Sequence, residues 1–266
     1  MRVNMATSAG RIGRANEDFV GAVPGAVVVL DGAGIPGSSS ICSHGVAWYT
    51  HRLGGALLGR LSRGGGDLVS VLGAAIAEIA DDHRGTCDLA HPNSPQATVA
   101  IVRAGAAGLE YLLLADSFLV VGPEVLTDGR EVAARRECSA PLAGVAQGTP
   151  EYERVLDLCR AEMRARRNQP GGYWIAKDDP RAASEAVIGS RPVADLALLS
   201  NGASRIVDPY ALTDWPGVMD LLRAGGPGEI IRRVREAEAQ TTAAPDDATV
   251  AYGDMSDHRG ELAGGL

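Results

Sequence analysis

The sequence predicts an α+β fold in which layered antiparallel sheets carry helices on their outer faces. Strand-like runs follow one another and helical periods come in pairs, a distribution that regular βαβ alternation does not produce. With 266 residues, 45% of them apolar, the chain can bury a core shared by several layers.

Residues 26–31, AVVVLD, form a β-branched run that ends in Asp31 and the turn sequence Gly32-Ala33-Gly34, so a buried strand delivers a carboxylate to a loop. Val46, Thr50, Leu53, Leu57 and Leu61 recur at spacings of three and four and predict a helix over 41–62. Leu68, Val71, Leu72, Ala75, Ile76 and Ile79 predict a second, ending at Asp81-Asp82. From residue 95 the period changes. ATVAIVRA (97–104), LEYLLLAD (109–116) and the run SFLVVGPEVLTDGREVA, with a turn at Asp128-Gly129, predict an antiparallel meander.

The segment 149–168 opens with a Thr cap and acidic first turn and closes in arginines, the charge order a helix dipole favours. A turn-rich stretch with one short helix follows, then a strand over 193–202, helices near 214–224 and 227–240, and a closing strand ATVAYG at 248–253. The expected domain is 1–253, followed by a polar, Gly-rich tail over 254–266.

Charge and composition exclude several functions. Lys and Arg number 25 against 33 Asp and Glu, a net of −8, which argues against general nucleic-acid affinity. No run reaches the roughly 18 to 20 apolar residues of a membrane span, nor is there a signal-peptide core at the N-terminus, so no membrane partner and cytoplasmic residence are expected. Cys42, Cys87, Cys138 and Cys159 are widely spaced, with no Cys-x-x-Cys pair or clustered His partner, so neither a zinc site nor a disulfide scaffold is expected. Cys42-Ser43-His44 precedes a helix and is read as packing or capping rather than a nucleophile pair.

Asp31, Asp116, Asp246 and the Glu17-Asp18 pair each lie near the end of a predicted strand. Taken singly, each is an ordinary turn former. Together they suggest carboxylates converging from several strand ends, as hard divalent cations require.

The order of these segments resembles the type 2C (PPM) metal-dependent serine/threonine phosphatases. Asn16-Glu17-Asp18, Asp31-Gly32-Ala33-Gly34, Ala97-Thr98-Val99, Ala115-Asp116-Ser117, Leu199-Ser200-Asn201-Gly202 and Asp246-Asp247-Ala248-Thr249-Val250 look like that family's successive motifs. The resemblance implies a four-layer αββα sandwich with two Mg²⁺ or Mn²⁺ ions, and a third, weaker one beside them, at one end of the sheets. Carried over by position, Asp31 would bridge the two metals, the Gly32 carbonyl would bind one and Asp246 would complete the other. Glu17 and Asp18 would orient water, and Asp116 would hold the third ion. The implied reaction is phosphomonoester hydrolysis by a metal-bridging hydroxide, with a phosphoserine or phosphothreonine protein as substrate.

The sequence departs from the family pattern at two places. Asn201 stands where the family has a metal-binding Asp, which makes a pseudophosphatase acting as a regulatory binding module the first alternative. The phosphate-binding Arg position holds Gly13, leaving Arg14, and less favourably Arg11, to contact phosphate. A small phosphorylated metabolite is the alternative substrate. The stretch 140–190 corresponds to the family's variable flap, and its Arg160, Arg164, Arg166, Arg167 and Lys177 are either a solvated face or a docking surface for an acidic or phosphorylated partner.

Overall fold

The computed structural model describes residues 1–34, 41–105, 107–241 and 244–255. Its first strands are β1 (Arg2–Ser8), β2 (Phe19–Val23) and β3 (Ala26–Ala33), followed by helices α1 (Gly45–Arg63) and α2 (Leu68–Asp82). Strands β4 (Gln96–Gly105), β5 (Gly108–Leu114), β6 (Phe118–Val121) and β7 (Glu124–Thr127) lead to α3 (Arg130–Ser139) and α4 (Pro150–Arg166). The chain continues through β8 (Val187–Arg191), β9 (Leu196–Leu199), the single turn α5 (Asn201–Ser204), α6 (Trp215–Gly225), α7 (Pro227–Glu238) and β10 (Ala248–Asp254).

Two five-stranded antiparallel sheets result, one ordered β1-β10-β9-β6-β7 and the other β2-β3-β4-β5-β8. Alternation along β3 shows how they stack. Val27 and Val29 pack with Leu198, Leu119 and Ala251 of the opposite sheet, while Val28 and Leu30 face Leu53, Leu57 and Ile76 of α1 and α2. Both faces of this strand are dry, which explains its unbroken apolar run. On the other side, Val120, Leu199 and Val250 bury against Val218, Leu222, Ile230 and Val234 of α6 and α7. The four-layer αββα sandwich follows.

Helices α2, α4 and α6 start where polar side chains satisfy free N–H groups. Asp67 Oδ1 accepts from Ser70 N at 2.7 Å, Thr149 Oγ1 from Tyr152 N at 3.2 Å and Asp214 Oδ1 from Gly217 N at 2.9 Å.

The predicted meander over 97–129 is divided between the sheets: β4 and β5 pair in one, β6 and β7 in the other. The chain changes sheet at Ala115-Asp116-Ser117, where Ala115 takes a left-handed φ of 64°. Asp128 does not form the hairpin turn, which falls at Gly122-Pro123. Buried Asp128 instead accepts the Ala115 N–H at 3.3 Å and receives the Arg130 guanidinium at 2.7 and 2.8 Å, bracing the sheet crossing. The sequence sets no bounds for β1, β2 or β8, and residues 130–133, expected as the end of the meander, instead open helix α3. At the C-terminus β10 includes Asp254 and Met255 is buried, while residues 256–266 of the expected tail lie outside the described residues.

Candidate metal centre

Antiparallel pairing brings one end of both sheets together. In one sheet that end holds the start of β2, the end of β3, the start of β4 and the end of β5; in the other it holds the starts of β6 and β10 and the end of β9. Glu17-Asp18, Asp31, Asp116, Asn201 and Asp246-Asp247 all belong to this end.

Asn201 links two of the acids. Its backbone N–H donates to Asp31 Oδ2 at 3.0 Å and its side-chain amide donates to Asp116 Oδ2 at 3.0 Å. Asp246 Oδ2 receives Arg205 at 2.6 Å, and its Oδ1 accepts the Asp247 N–H at 3.1 Å.

Asp247 closes the site from the other side, a role the sequence reading did not assign. Its two oxygens accept Gly10 N at 2.7 Å and Glu17 N at 2.5 Å, fastening the segment after β1 to the start of β10. Three glycines permit the close approach. A Cβ on Gly10, Gly32 or Gly202 would run into the backbone of Asp246, Glu17 or Asp247 respectively.

The carboxylates act on one another. Burial pushes Asp31 well above its ordinary range, and the charges of Asp18, Asp116 and Asp246 push it further, against the Asn201 N–H. Asp18, only 2% exposed, is raised to about 7 by burial, with Asp247 and Asp246 adding and the Thr249 and Ser200 hydroxyls opposing. Asp116 is raised by burial, with Arg135 opposing. Glu17 is raised by burial and by Asp247, while Arg14 lowers it.

These residues suit a hard divalent cation. Asp18 Oδ2 is buried without a hydrogen-bond partner, and every side-chain donor in the set except the Asn201 amide is a carboxylate oxygen. Among the described residues, no three carboxylates bring oxygens within 4.8 Å of each other.

Two depressions adjoin the cluster. A cavity of about 90 Å³ is lined by Gly10, Arg11, Arg14, Glu17, Asp246 and Asp247, which puts the expected phosphate-binding Arg14 beside the acids. A larger cleft of about 710 Å³ starts at Ala33-Gly34, next to Asp31, and runs between α3 and α4 past Glu131, Arg135, Arg160, Arg164, Arg167 and Tyr173. The expected cationic set of the 140–190 stretch is therefore divided. Arg160 and Arg164 line the cleft, Arg166 bonds to Glu137 and Glu162, and Arg167 donates to Pro92 O and Tyr173 Oη. Lys177 is buried against Leu89 O and Asp178, so it belongs to no surface.

The sequence reading also held that the cysteines have no clustered His partners, and the structure overturns this. Cys42, His44, His83 and Cys87 converge, because antiparallel α1 and α2 return residue 83 to the level of residue 44.

No family model matches the sequence, and no curated protein matches it either. Solved structures do. The PPM Ser-Thr phosphatase MsPP from Mycobacterium smegmatis, solved with cacodylate, superposes with a TM-score of 0.55 at 17% identity, over 95% of this chain and 97% of that one. The chain has the PPM phosphatase fold. The catalytic domain of the serine threonine protein phosphatase PstP, with two manganese ions, gives 0.56 at 18% identity over 94% and 96% of the two chains. The S. agalactiae serine/threonine phosphatase gives 0.58 at 13% identity over 94% and 98%. Among the described residues of this PPM-fold chain, no helix is long and apolar enough to cross a membrane.

Proposed function

We propose that this chain is a metal-dependent phosphomonoester hydrolase acting on phosphoserine or phosphothreonine in proteins. The observation that carries the reading is the convergence of Asp18, Asp31, Asp116 and Asp246 at one end of a PPM-type sandwich, with buried Asp18 Oδ2 unpartnered. Asp31, the Gly32 carbonyl and Asp246 would hold two Mg²⁺ or Mn²⁺ ions, and Asp116 with Asn201 a third. When bound, such ions neutralise phosphate charge and supply an activated water.

The protein's own residues set the rest. Asp18, raised to about 7 by burial, holds or releases a proton near neutral pH, and Glu17, whose carboxyl burial also raises, would orient water beside it. Arg14 offers a guanidinium to the phosphate from the rim of the small cavity. The cleft between α3 and α4, with Arg160 and Arg164 on its wall, receives the peptide around the phosphorylated residue.

One observation favours a second reading. The Asn201 amide donates to Asp116 where the family pattern places a metal-binding carboxylate, which suits a pseudophosphatase that binds phosphoproteins without hydrolysing them. Titration of Mn²⁺ and Mg²⁺ against p-nitrophenyl phosphate turnover separates the two. The enzyme reading expects turnover that a chelator removes and Asp31→Asn abolishes in a folded protein. Absence of turnover with every divalent cation would favour the binding module. Comparing kcat/KM for phosphopeptides with that for sugar and nucleotide phosphates then decides between protein and small-metabolite substrates.

A further inference from the structure

Cys42 and His44 lie immediately before α1, while His83 caps the C-terminal end of α2 and Cys87 follows one turn later. One ligand atom from each of the four residues lies within 4.8 Å of the others. His44 Nδ1 is 3.4 Å from Cys87 Sγ and 4.0 Å from Cys42 Sγ. In a tetrahedral zinc site with bonds of about 2.0–2.3 Å, ligand atoms sit roughly 3.3–3.8 Å apart, so little contraction is needed.

His83 supplies an independent observation. The residue is 1% exposed, its Nδ1 donates to the Ile79 carbonyl at 2.9 Å, and its Nε2 is buried with no hydrogen-bond partner. The carbonyl fixes the proton on Nδ1, so Nε2 presents a lone pair. An imidazole oriented by a backbone carbonyl in this way is the usual state of a metal-ligating histidine, whereas a buried acceptor left unpaired costs about 1–3 kcal/mol.

The surroundings are built around the four residues. The His83 carbonyl accepts Thr86 N at 3.0 Å and Cys87 N at 3.2 Å, turning Cys87 back toward the cluster, and Asp88 N donates to Ile41 O at 3.2 Å, joining the two segments. Trp48 stacks on His44 at 4.3 Å and meets His83 edge-on at 4.6 Å, covering the group with an apolar ring.

We propose that Cys42, His44, His83 and Cys87 form a structural zinc site that clips the start of α1 to the end of α2. Two thiolates and two imidazoles are borderline-soft donors that select Zn²⁺ over Mg²⁺, so this site is chemically separate from the carboxylate centre. It closes the open end of the α1–α2 hairpin, opposite the 64–67 turn that joins the helices. Its role is to stabilise the helical layer over β3 and β4, and it takes no part in the proposed hydrolysis.

The test is elemental analysis of the full chain after zinc loading and dialysis against a weak chelator, together with optical spectra of the cobalt-loaded protein. About one zinc per chain is expected in the wild type and equally in Asp31→Asn, which removes the carboxylate centre as a competing sink. The Cys42→Ser/Cys87→Ser double variant should lose it. Cobalt should give the intense visible bands of tetrahedral coordination with a thiolate charge-transfer band in the near ultraviolet, a readout from the wild type that does not depend on the variant folding. Zinc loss should lower Tm with turnover per folded molecule unchanged. The proposal is overturned by failure to retain zinc, by zinc retained in the double variant, by a cobalt spectrum of octahedral oxygen ligation, or by a Cys42–Cys87 disulfide in protein purified without air.

Discussion

The side-chain amide of Asn201 donates to Asp116 Oδ2 at 3.0 Å, and the same residue's N–H holds Asp31 Oδ2. A neutral donor thus sits between two carboxylates that both carry raised proton affinity. Asn201→Asp replaces that donor with a third charge. Without divalent metal the variant should be less stable than the wild type, because the like charges are brought into contact. With Mn²⁺ the order should reverse. Calorimetric titration should show tighter binding, and turnover should rise by about tenfold, about 1.4 kcal/mol in the barrier. Unchanged Mn²⁺ affinity and rate in Asn201→Asp would remove position 201 from the metal centre.

Asp18 links the cluster to pH. Its carboxyl rises from 3.8 to about 7 on folding, so the folded state binds its proton more tightly than the unfolded chain does. The stability this adds is complete below the unfolded value and is lost as pH rises through the folded one. In chelator, Tm should therefore fall as pH rises from about 4 to about 7. Saturating Mn²⁺ should flatten the slope by favouring the charged forms, and Asp18→Asn should reduce it without metal. A metal-free Tm that rises across this interval in the wild type would contradict the burial of a charged Asp18.

Legibility in the sequence follows burial. β3 could be recognised because both its faces are dry, leaving AVVVL unbroken, and α1 and α2 because each turns one apolar stripe to the sheet. β1 is an edge strand with much of its surface in water, so its residues alternate too weakly to be told from a loop. α3 is hidden for a related reason. Its buried positions are Glu131, Ala134 and Cys138, which form no apolar stripe. The acids at strand ends were visible as residues, but the Asp247 bonds to Gly10 and Glu17 depend on chain segments more than 200 positions away. The Cys and His quartet was missed because its halves lie about forty residues apart, and only the length of the helical hairpin makes them meet.

Those Asp247 bonds and the close approach of Gly202 make a second stability test. Gly202→Ala places a methyl against the Asp247 carbonyl with no flexible side chain to give way. Overpacking of this kind costs about 1–3 kcal/mol. Asp247→Ala should cost a similar amount, since two N–H groups lose charged acceptors worth about 1.5–3 kcal/mol each when buried, and less where water can replace them. Denaturant unfolding checks both. Wild-type stability in Asp247→Ala would mean that the start of β10 is not fastened to the 10–17 segment, and in Gly202→Ala that α5 does not press on the Asp247 backbone.

The cleft beside Asp31 offers the last prediction, and it depends on which arginines are free to meet a substrate. Arg167 is committed to Pro92 O and Tyr173 Oη, and Arg166 to Glu137 and Glu162, so replacing either disturbs the fold before it disturbs binding. Arg135 is held by Glu131 at 2.6 Å and opposes the raised proton affinity of Asp116, so its loss would alter the acidic centre as well. Arg160 and Arg164 remain. Both line the cleft, and among the described residues Arg160 pairs with exposed Asp157 one turn away, a pairing worth little in water. Arg160→Glu/Arg164→Glu should therefore leave Tm and p-nitrophenyl phosphate turnover near wild type. KM for an acidic phosphopeptide should rise by about tenfold, on the order of 1.4 kcal/mol for two reversed charges at a solvated cleft wall. The increase should shrink as salt is added, because screening acts on exposed charges over about 10 Å at 0.1 M. An unchanged KM at low salt, with normal p-nitrophenyl phosphate turnover, would mean that substrate reaches the acidic cluster by another face, with the Arg11 and Arg14 rim of the smaller cavity next to be tested.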